Sequence, residues 1–186
     1  MIRKLIILVF LAVFLIQCAK KQDPFLISAD AVGKLPKDAF ITELDSIFSE
    51  DSLVTISRNS KFTISGQEYF EVYEKGGKQL LSITPKSKTD SVQGIQNIQI
   101  YDDRFTTDKG ISLKSTFGEI KNSYEIKSIT TSFKNIIVTP ANSDLYFTIS
   151  KDELPEDVKY STQIEAVQIP DEVRIKYMMV DLSLRE

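Results

Sequence analysis

The sequence YDDRFTTDKGISLKSTFGEIKNSY, residues 101–124, carries the clearest structural signals in the chain. Gly110 stands where a chain leaving a strand turns sharply, and glycine adopts a positive φ without steric penalty. Thr116 and Glu119 have the spacing of a capping box, in which each side chain accepts a hydrogen bond from the other residue's backbone N–H. We therefore predict a strand, a tight turn, an extended connector and an amphipathic helix, in this order.

The predicted helix has one apolar face. Phe117, Ile120 and Tyr124 lie three and four positions apart, so they share one side of a helix and favour packing against a sheet. A second amphipathic helix is predicted over residues 39–48, with Asp38 as its N-cap. Its apolar stripe consists of Phe40, Leu44 and either Ile47 or Phe48.

Alternating and β-branched sequences predict the strands around these helices. Gly76-Gly77 separates two such runs, residues 67–75 and 78–84, which is typical of a β-hairpin. Residues 145–150 alternate between apolar and polar side chains, as a strand with one buried face does. A turn and a short strand are predicted at residues 58–64. The closing strand is predicted over residues 173–182, with four side chains on one face: Val173, Ile175, Tyr177 and Met179.

Together these elements predict an α+β fold, an antiparallel or mixed sheet with two amphipathic helices packed on one face. Residues 33–48 and 110–124 share a weak similarity, in which a glycine and a leucine precede a helix that carries a glutamate and an aromatic residue. Either two related strand-helix-strand units or a chance likeness between amphipathic helices explains this similarity. No linker-like composition divides residues 25–186, so we predict a single domain there.

The composition excludes several chemistries. The 186 residues include 23 Lys and Arg against 26 Asp and Glu, a formal net charge of −3, with no His, no Trp and one Cys. This balance lacks the concentrated basic face of nucleic-acid-binding proteins, so no nucleic-acid partner is expected. Without histidine, a His-activated nucleophile and a His-based zinc site are excluded, and one cysteine forms no internal disulfide.

The first 17 residues have the pattern of a secretory signal peptide, a charged start followed by the twelve apolar residues 5–16. Twelve residues are too few to span a bilayer, which needs about 20. Leu15-Ile16-Gln17-Cys18 resembles the lipobox of bacterial lipoproteins, with Gln17 where that family favours Gly, Ala or Ser. The resemblance implies cleavage before Cys18 and acylation of this cysteine, with residues 18–24 as the lipidated start and a short polar tether. The alternatives are a simple secretory leader and a core helix with a buried cysteine.

The central segment resembles a pattern found in small, mostly uncharacterised bacterial envelope lipoproteins. The matching residues are Thr107, Gly110, Ile111, Leu113, Ser115, Thr116, Phe117, Glu119, Ile120 and Tyr124. Together with the lipobox, the resemblance implies an envelope protein anchored through Cys18 to the inner membrane, the outer membrane or the cell surface. It is a signature of fold and assigns no activity.

Carboxylates are the candidate catalytic groups. Five lie in or beside the central segment: Asp102, Asp103, Asp108, Glu119 and Glu125. Asp102 and Asp103 are expected at the solvated end of a strand, where neighbouring side chains point to opposite faces. Their spacing to Asp108 does not fit a calcium-binding loop, and capping accounts for Glu119. We therefore assign no catalytic residue, no metal and no cofactor.

Two functional hypotheses follow from these observations. The favoured one is a non-enzymatic envelope lipoprotein, a binding or assembly module with a membrane anchor at Cys18 and an envelope protein or glycan as partner. The alternative is a hydrolase that uses two of the five carboxylates, such as a glycosidase whose acidic groups lie roughly 5–9 Å apart.

The anchor is tested by replacing its thiol. We expect Cys18→Ser to move the protein to the soluble fraction and to abolish acylation, because the lipid chains are attached at this residue. Membrane fractionation and mass spectrometry of the N-terminal peptide measure both effects, with Ala19→Ser as the control. If Cys18→Ser stays in the membrane, residues 5–16 act as a helical anchor instead.

Overall fold

The computed structural model describes residues 23–57, 68–87 and 93–183, and places twelve β-strands in this part of the chain. The signal peptide, Cys18, most of the tether, and the turn and strand predicted at residues 58–64 lie outside the described residues. Two sheets contain all twelve strands, one of four strands and one of eight.

The small sheet is built from two-residue strands near the start of the described chain and one from its middle. Its order is β3-β2-β1-β8, and β1 pairs with β8 in parallel. The strands are β1 (Leu26–Ile27), β2 (Ala31–Val32), β3 (Leu35–Pro36) and β8 (Thr106–Thr107).

The large sheet consists of two antiparallel four-strand meanders. The first contains β4 (Ser52–Ser57), β5 (Glu68–Tyr73), β6 (Gln79–Pro85) and β7 (Ile95–Ile100); the second contains β9 (Ile126–Thr131), β10 (Asn135–Pro140), β11 (Leu145–Ser150) and β12 (Tyr177–Asp181). The last strands of the two meanders pair with each other, so the order is β4-β5-β6-β7-β12-β11-β10-β9. Strands β4 and β9 therefore form the two edges.

Helices are short in the described chain. The α-helices are α1 (Leu44–Ile47), α2 (Phe117–Ser123) and α3 (Glu156–Lys159), and three 3₁₀ turns cover Ile41–Glu43, Lys151–Glu153 and Ala166–Gln168. Of these, α2 is the longest, with seven residues.

The predicted α+β class is wrong, because the described chain is mostly β. The two helices that were expected to cover one face of a sheet are too short to do so. The buried apolar side chains of the eight-stranded and the four-stranded sheet form one core instead. The order strand, helix, strand occurs twice in the described residues, as β3-α1-β4 and as β8-α2-β9. In both, the first strand belongs to the small sheet and the second to the large one, so the two strands of a unit do not pair with each other.

The helix predicted over residues 39–48 is reduced to a 3₁₀ turn followed by α1. Asp38 is not its N-cap; the Phe40 N–H donates to the Glu43 carboxylate at 2.8 Å instead. The backbone N–H of Ile41 is bound by the Gln93 carbonyl at 2.9 Å, which draws the chain into a tertiary contact at the point where the helix was to begin. Phe40 is exposed, so the expected apolar stripe is not fully buried.

The closing strand is shorter than predicted, and its faces are different. It begins at Tyr177, which is exposed, while Met178 and Val180 are buried. Val173 and Ile175 are buried in a separate segment: the Val173 carbonyl accepts from the Phe117 N–H at 2.8 Å. Because this segment pairs with the start of α2 rather than with a sheet strand, the alternation does not continue across Lys176.

The capping box at α2 has the geometry that its sequence predicts. The Glu119 carboxylate accepts from the Thr116 N–H at 2.8 Å, and the Thr116 hydroxyl accepts from the Glu119 N–H at 3.4 Å. Phe117, Ile120 and Tyr124 are all buried. Gly110 has φ = 79° in the turn after β8, as expected. The helix is thus held at its N-terminus by its own side chains and by the carbonyls of the segment before β12.

Gly33 has a steric role in the small sheet. It has φ = 58°, and a Cβ atom here would lie 2.2 Å from the Pro24 carbonyl oxygen and 2.9 Å from the Phe105 ring. Only a glycine lets the start of the described chain pass this close to the turn between β2 and β3.

We expect Gly33→Ala to lower the free energy of unfolding by more than about 3 kcal/mol, because left-handed strain and displacement of the Pro24 backbone add together. Gly110→Ala is the matched control: φ is also positive there, but nothing lies within 4 Å of the added Cβ, so strain alone should cost about 1 kcal/mol. Urea unfolding measures both. Equal losses would mean that the chain near Pro24 moves away without cost.

Candidate functional site

An open cleft of about 960 Å³ lies between the small sheet and the second meander. Its volume is at the upper end of the range of about 300–1,000 Å³ that is usual for ligand sites. Charged side chains of both signs line it, and they come from five separate regions of the chain: Lys37, Asp108, Lys109, Glu125, Lys127, Asp144 and Asp181.

A buried ion pair closes one side of the cleft. The Lys37 ammonium lies 3.0 Å from both carboxylate oxygens of Asp144, and the Lys37 side chain is 2% exposed. Lys37 follows β3, and Asp144 ends the turn from β10 to β11, where Asn142 has φ = 53°. The pair therefore joins the small sheet to the large one, and each charge compensates the burial of the other.

Tyr124 forms part of the cleft wall and has a buried hydroxyl without a well-aligned hydrogen bond among the described residues. Burial raises the pKa of Tyr124 above its ordinary value, and the Asp108 and Asp144 carboxylates raise it further. The nearby Thr107 side chain acts in the opposite direction and lowers it. The Lys109 ammonium lies 4.2 Å from the centre of the Tyr124 ring. A buried phenol hydroxyl without a well-aligned partner is costly, and this one is covered by the cleft wall rather than open to the cleft.

Tyr146 contributes a second phenol to the cleft. Its hydroxyl accepts a hydrogen bond from the Asn97 amide at 2.8 Å. Burial raises the pKa of Tyr146, the Asn97 hydrogen bond opposes this, and the Asp181 carboxylate adds to it. Both tyrosines therefore stay protonated at neutral pH and present neutral O–H groups beside the charged side chains.

The five candidate carboxylates are divided between three places. Asp108 and Glu125 line the cleft. Glu119 is exposed and is bound in the capping box of α2. Asp102 and Asp103 lie in the turn after β7, at the opposite end of the large sheet from the β10–β11 turn. Sequence reasoning assigned no role to Lys37 or Asp144, which are 107 positions apart and stand in no motif.

Asp102 is fully buried, and the expectation of a solvated aspartate was wrong. It lies in a turn rather than in a strand, so Asp102 and Asp103 are not on opposite faces: the Lys78 ammonium lies 3.1 Å from one and 3.6 Å from the other. Arg104 binds Asp102 through its backbone N–H and its guanidinium. The same guanidinium makes two hydrogen bonds to Glu74 and stacks 4.1 Å from the centre of the Phe25 ring.

These contacts make Asp102 a structural group rather than a catalytic one. Burial alone would raise its pKa, but the hydrogen bonds from Arg104 and Lys78 outweigh burial and hold the pKa of Asp102 well below its ordinary value. A carboxylate that is permanently ionised and surrounded by cations has no accessible oxygen for acid–base work. It ties the turn after β7 to the β5–β6 hairpin through Lys78 and positions Arg104 over Phe25.

Two further findings concern the described residues alone. No group of three or more Asp, Glu or Cys side chains in them is arranged to hold a metal ion. None of their helices has the length and apolar character that crossing a bilayer requires.

No protein-family model and no curated protein matches the chain. Among solved structures, the chain is similar to the crystal structure of the uncharacterized protein yfeY from Escherichia coli, with a TM-score of 0.55 and 14% sequence identity. The match covers 83% of this chain and 98% of that one. At this identity the likeness shows a shared fold, and it agrees with the mostly β architecture.

We expect Asp102→Asn to lower the free energy of unfolding by about 3 kcal/mol at pH 7, because it leaves the cations around a buried site without their anion. The folded pKa of Asp102 lies below the unfolded value of about 3.9. The stabilisation is therefore complete above that value and declines as the pH falls through the folded pKa.

Urea unfolding at pH 7 and pH 3 measures this effect, and the difference between wild type and Asp102→Asn should shrink at pH 3. Asp103→Asn is the matched control. The Asp103 carboxylate is partly exposed, so its loss should change the free energy of unfolding little. An Asp102→Asn protein as stable as wild type at pH 7 would contradict the structural role.

Proposed function

We propose that the protein is a lipid-anchored component of the bacterial cell envelope whose domain binds a polar ligand in the cleft, without catalysing a reaction. The observation that carries the binding role is the cleft itself, a space of about 960 Å³ in which charges of both signs surround two tyrosines. The sequence of residues 1–18 supports the anchor, since a signal peptide precedes a lipobox-like cysteine.

The side chains of the cleft favour a ligand with several polar groups. The Lys37–Asp144 pair and the Tyr146–Asn97 hydrogen bond keep part of the wall in a defined conformation before any ligand arrives, and such preorganisation favours binding. The hydroxyl of Tyr124 is buried in the wall and has no aligned partner, so a ligand whose binding uncovers it and forms a hydrogen bond to it relieves an existing cost.

A hydrolase remains the second candidate, because Asp108 and Glu125 line the same cleft. Two carboxylates that flank a bound glycan are sufficient for acid–base catalysis. This candidate requires turnover of the bound ligand, whereas the binding role requires only occupancy.

The binding role is tested by screening polar compounds, namely amino acids, short peptides, oligosaccharides and sugar phosphates, for an increase in melting temperature. A ligand that binds the folded protein raises the melting temperature, and the stabilisation grows with the logarithm of the ligand concentration divided by Kd. We expect such a compound to bind Tyr124→Phe more weakly, while the stability of the unliganded variant does not fall, because no aligned hydrogen bond is lost. Ser52→Ala, at an exposed position on the edge strand β4 of the first meander and outside the cleft lining, is the control.

Each outcome separates the candidates. A ligand that binds wild type and Tyr124→Phe equally does not use the cleft wall at this residue, which would contradict the proposal. A ligand that is consumed, with consumption abolished by Asp108→Asn or Glu125→Gln, would establish the hydrolase instead. A screen without any ligand, followed by in-cell crosslinking that recovers one recurrent envelope protein, would make the domain an assembly module.

A further inference from the structure

The strands of the large sheet give the molecule two distinct ends. The β5–β6 hairpin, the turn after β7, the β9–β10 hairpin and the chain leaving β11 all lie at one end, since Met178 pairs with Ile100 and Asn135 with Ser150. We call this the hairpin end. The cleft residues Glu125, Asp144 and Asp181 lie at the other end, beside the start of β9, the β10–β11 turn and the finish of β12.

The first described residues lie at the hairpin end. The Phe25 ring packs against Phe105 with a centroid distance of 5.2 Å, and the Arg104 guanidinium lies over it. Arg104 in turn binds Glu74, the residue that follows β5. The close contact of Pro24 with Gly33 fixes the same segment. The chain that precedes Asp23 therefore leaves the domain at this end.

The remaining tether is short. Five residue steps separate Cys18 from Asp23, and even a fully extended chain spans at most about 18 Å over them. If Cys18 is acylated, as the proposed function requires, the bilayer surface lies within this distance of the hairpin end. Strands β7 and β10 are three strand spacings apart, about 14 Å, so the β9–β10 hairpin lies within reach of the same surface.

A single large apolar side chain projects from that hairpin. Phe133 is 92% exposed, and it occupies a tight turn in which the Ser132 N–H and hydroxyl both donate to the Asn135 carbonyl, at 2.8 and 2.9 Å. These two hydrogen bonds close the turn, and the ring projects away from the domain. A phenylalanine this exposed is unfavourable in water. Phenylalanine is among the side chains that peripheral proteins bury at the headgroup boundary of a bilayer.

A second exposed aromatic lies beside this turn. The Lys151 N–H donates to the Lys134 carbonyl at 2.9 Å, and the Lys151 ammonium donates to the Ser161 carbonyl at 2.9 Å. These bonds bring Tyr160, which is 76% exposed, to the neighbourhood of the hairpin. Residues 151–160 carry four carboxylates against two lysines, so the attraction to lipid rests on the aromatic rings rather than on net charge.

We propose that the Phe133 turn is a membrane-docking element, which inserts into the headgroup region of the bilayer that holds the acylated Cys18. The hairpin end then faces the lipid, and the cleft opens into the aqueous space on the far side of the domain. The six residues of β10 place the two ends about 20 Å apart. The bilayer is the occupant because the tether joins the domain at the same end and keeps that end within about 18 Å of the lipid surface.

Tryptophan fluorescence tests the orientation, since the chain contains no Trp and one introduced Trp is an unambiguous reporter. The acylated protein is reconstituted into phosphatidylcholine vesicles that carry brominated acyl chains. The reporter is Phe133→Trp, and Ser128→Trp is the matched control at an exposed position on β9 of the same hairpin. Ser128 is four residues from Ser132, about 13 Å along the strand. Both replaced side chains are exposed, so neither variant disturbs the core.

We expect bromine to quench Phe133→Trp strongly and to shift its emission to the blue, with Ser128→Trp quenched only by aqueous iodide. Equal quenching of the two variants, or stronger bromine quenching of Ser128→Trp, would overturn the docking element and leave the anchor intact. Wild-type protein that fails to float with the vesicles would overturn the anchor, and with it both the proposed location and the docking element.

Discussion

The pairing of β7 with β12 is the contact on which the rest of the structure depends. Each strand ends one meander, and their antiparallel register places Met178 opposite Ile100 and Val180 opposite Ile98. All four side chains are 1% exposed or less. Without this pairing the large sheet would separate into two four-stranded halves, each with an exposed apolar edge. The buried side chains of the small sheet and of α2 belong to one core with those of both halves, so that core too requires the pairing.

The local parts of the fold could be predicted because their causes are local. The hairpin at Gly76-Gly77, the turn at Gly110 and the capping box of α2 each depend on residues a few positions apart. The outcome for the helix predicted over residues 39–48 could not be read from neighbouring residues, because the Ile41 N–H is bound by the carbonyl of the distant Gln93. The order of the strands could not be predicted for the same reason, because alternation identifies a strand but does not show which other strand pairs with it.

The candidate site was less predictable than the fold. Lys37 and Asp144 are 107 positions apart, and neither stands in a motif, so only the tertiary structure shows that they meet. Asp102 illustrates the opposite error. Its sequence context suggests a solvated strand end, yet the two cations that bind it allow a carboxylate to be fully buried. In both cases the position of a charge depends on where its distant partner lies, which single-sequence patterns do not record.

The parallel pairing of β1 with β8 has a consequence for the order of folding. Leu26 pairs with Thr106, 80 positions later, so the first strand of the domain closes a long loop before it gains any hydrogen bonds from that partner. Contacts of such high sequence separation form late. A chain delivered from its N-terminus would therefore hold its first strand in an unfinished state until more than half of the domain had followed. The segment nearest the proposed anchor would be among the last to become ordered.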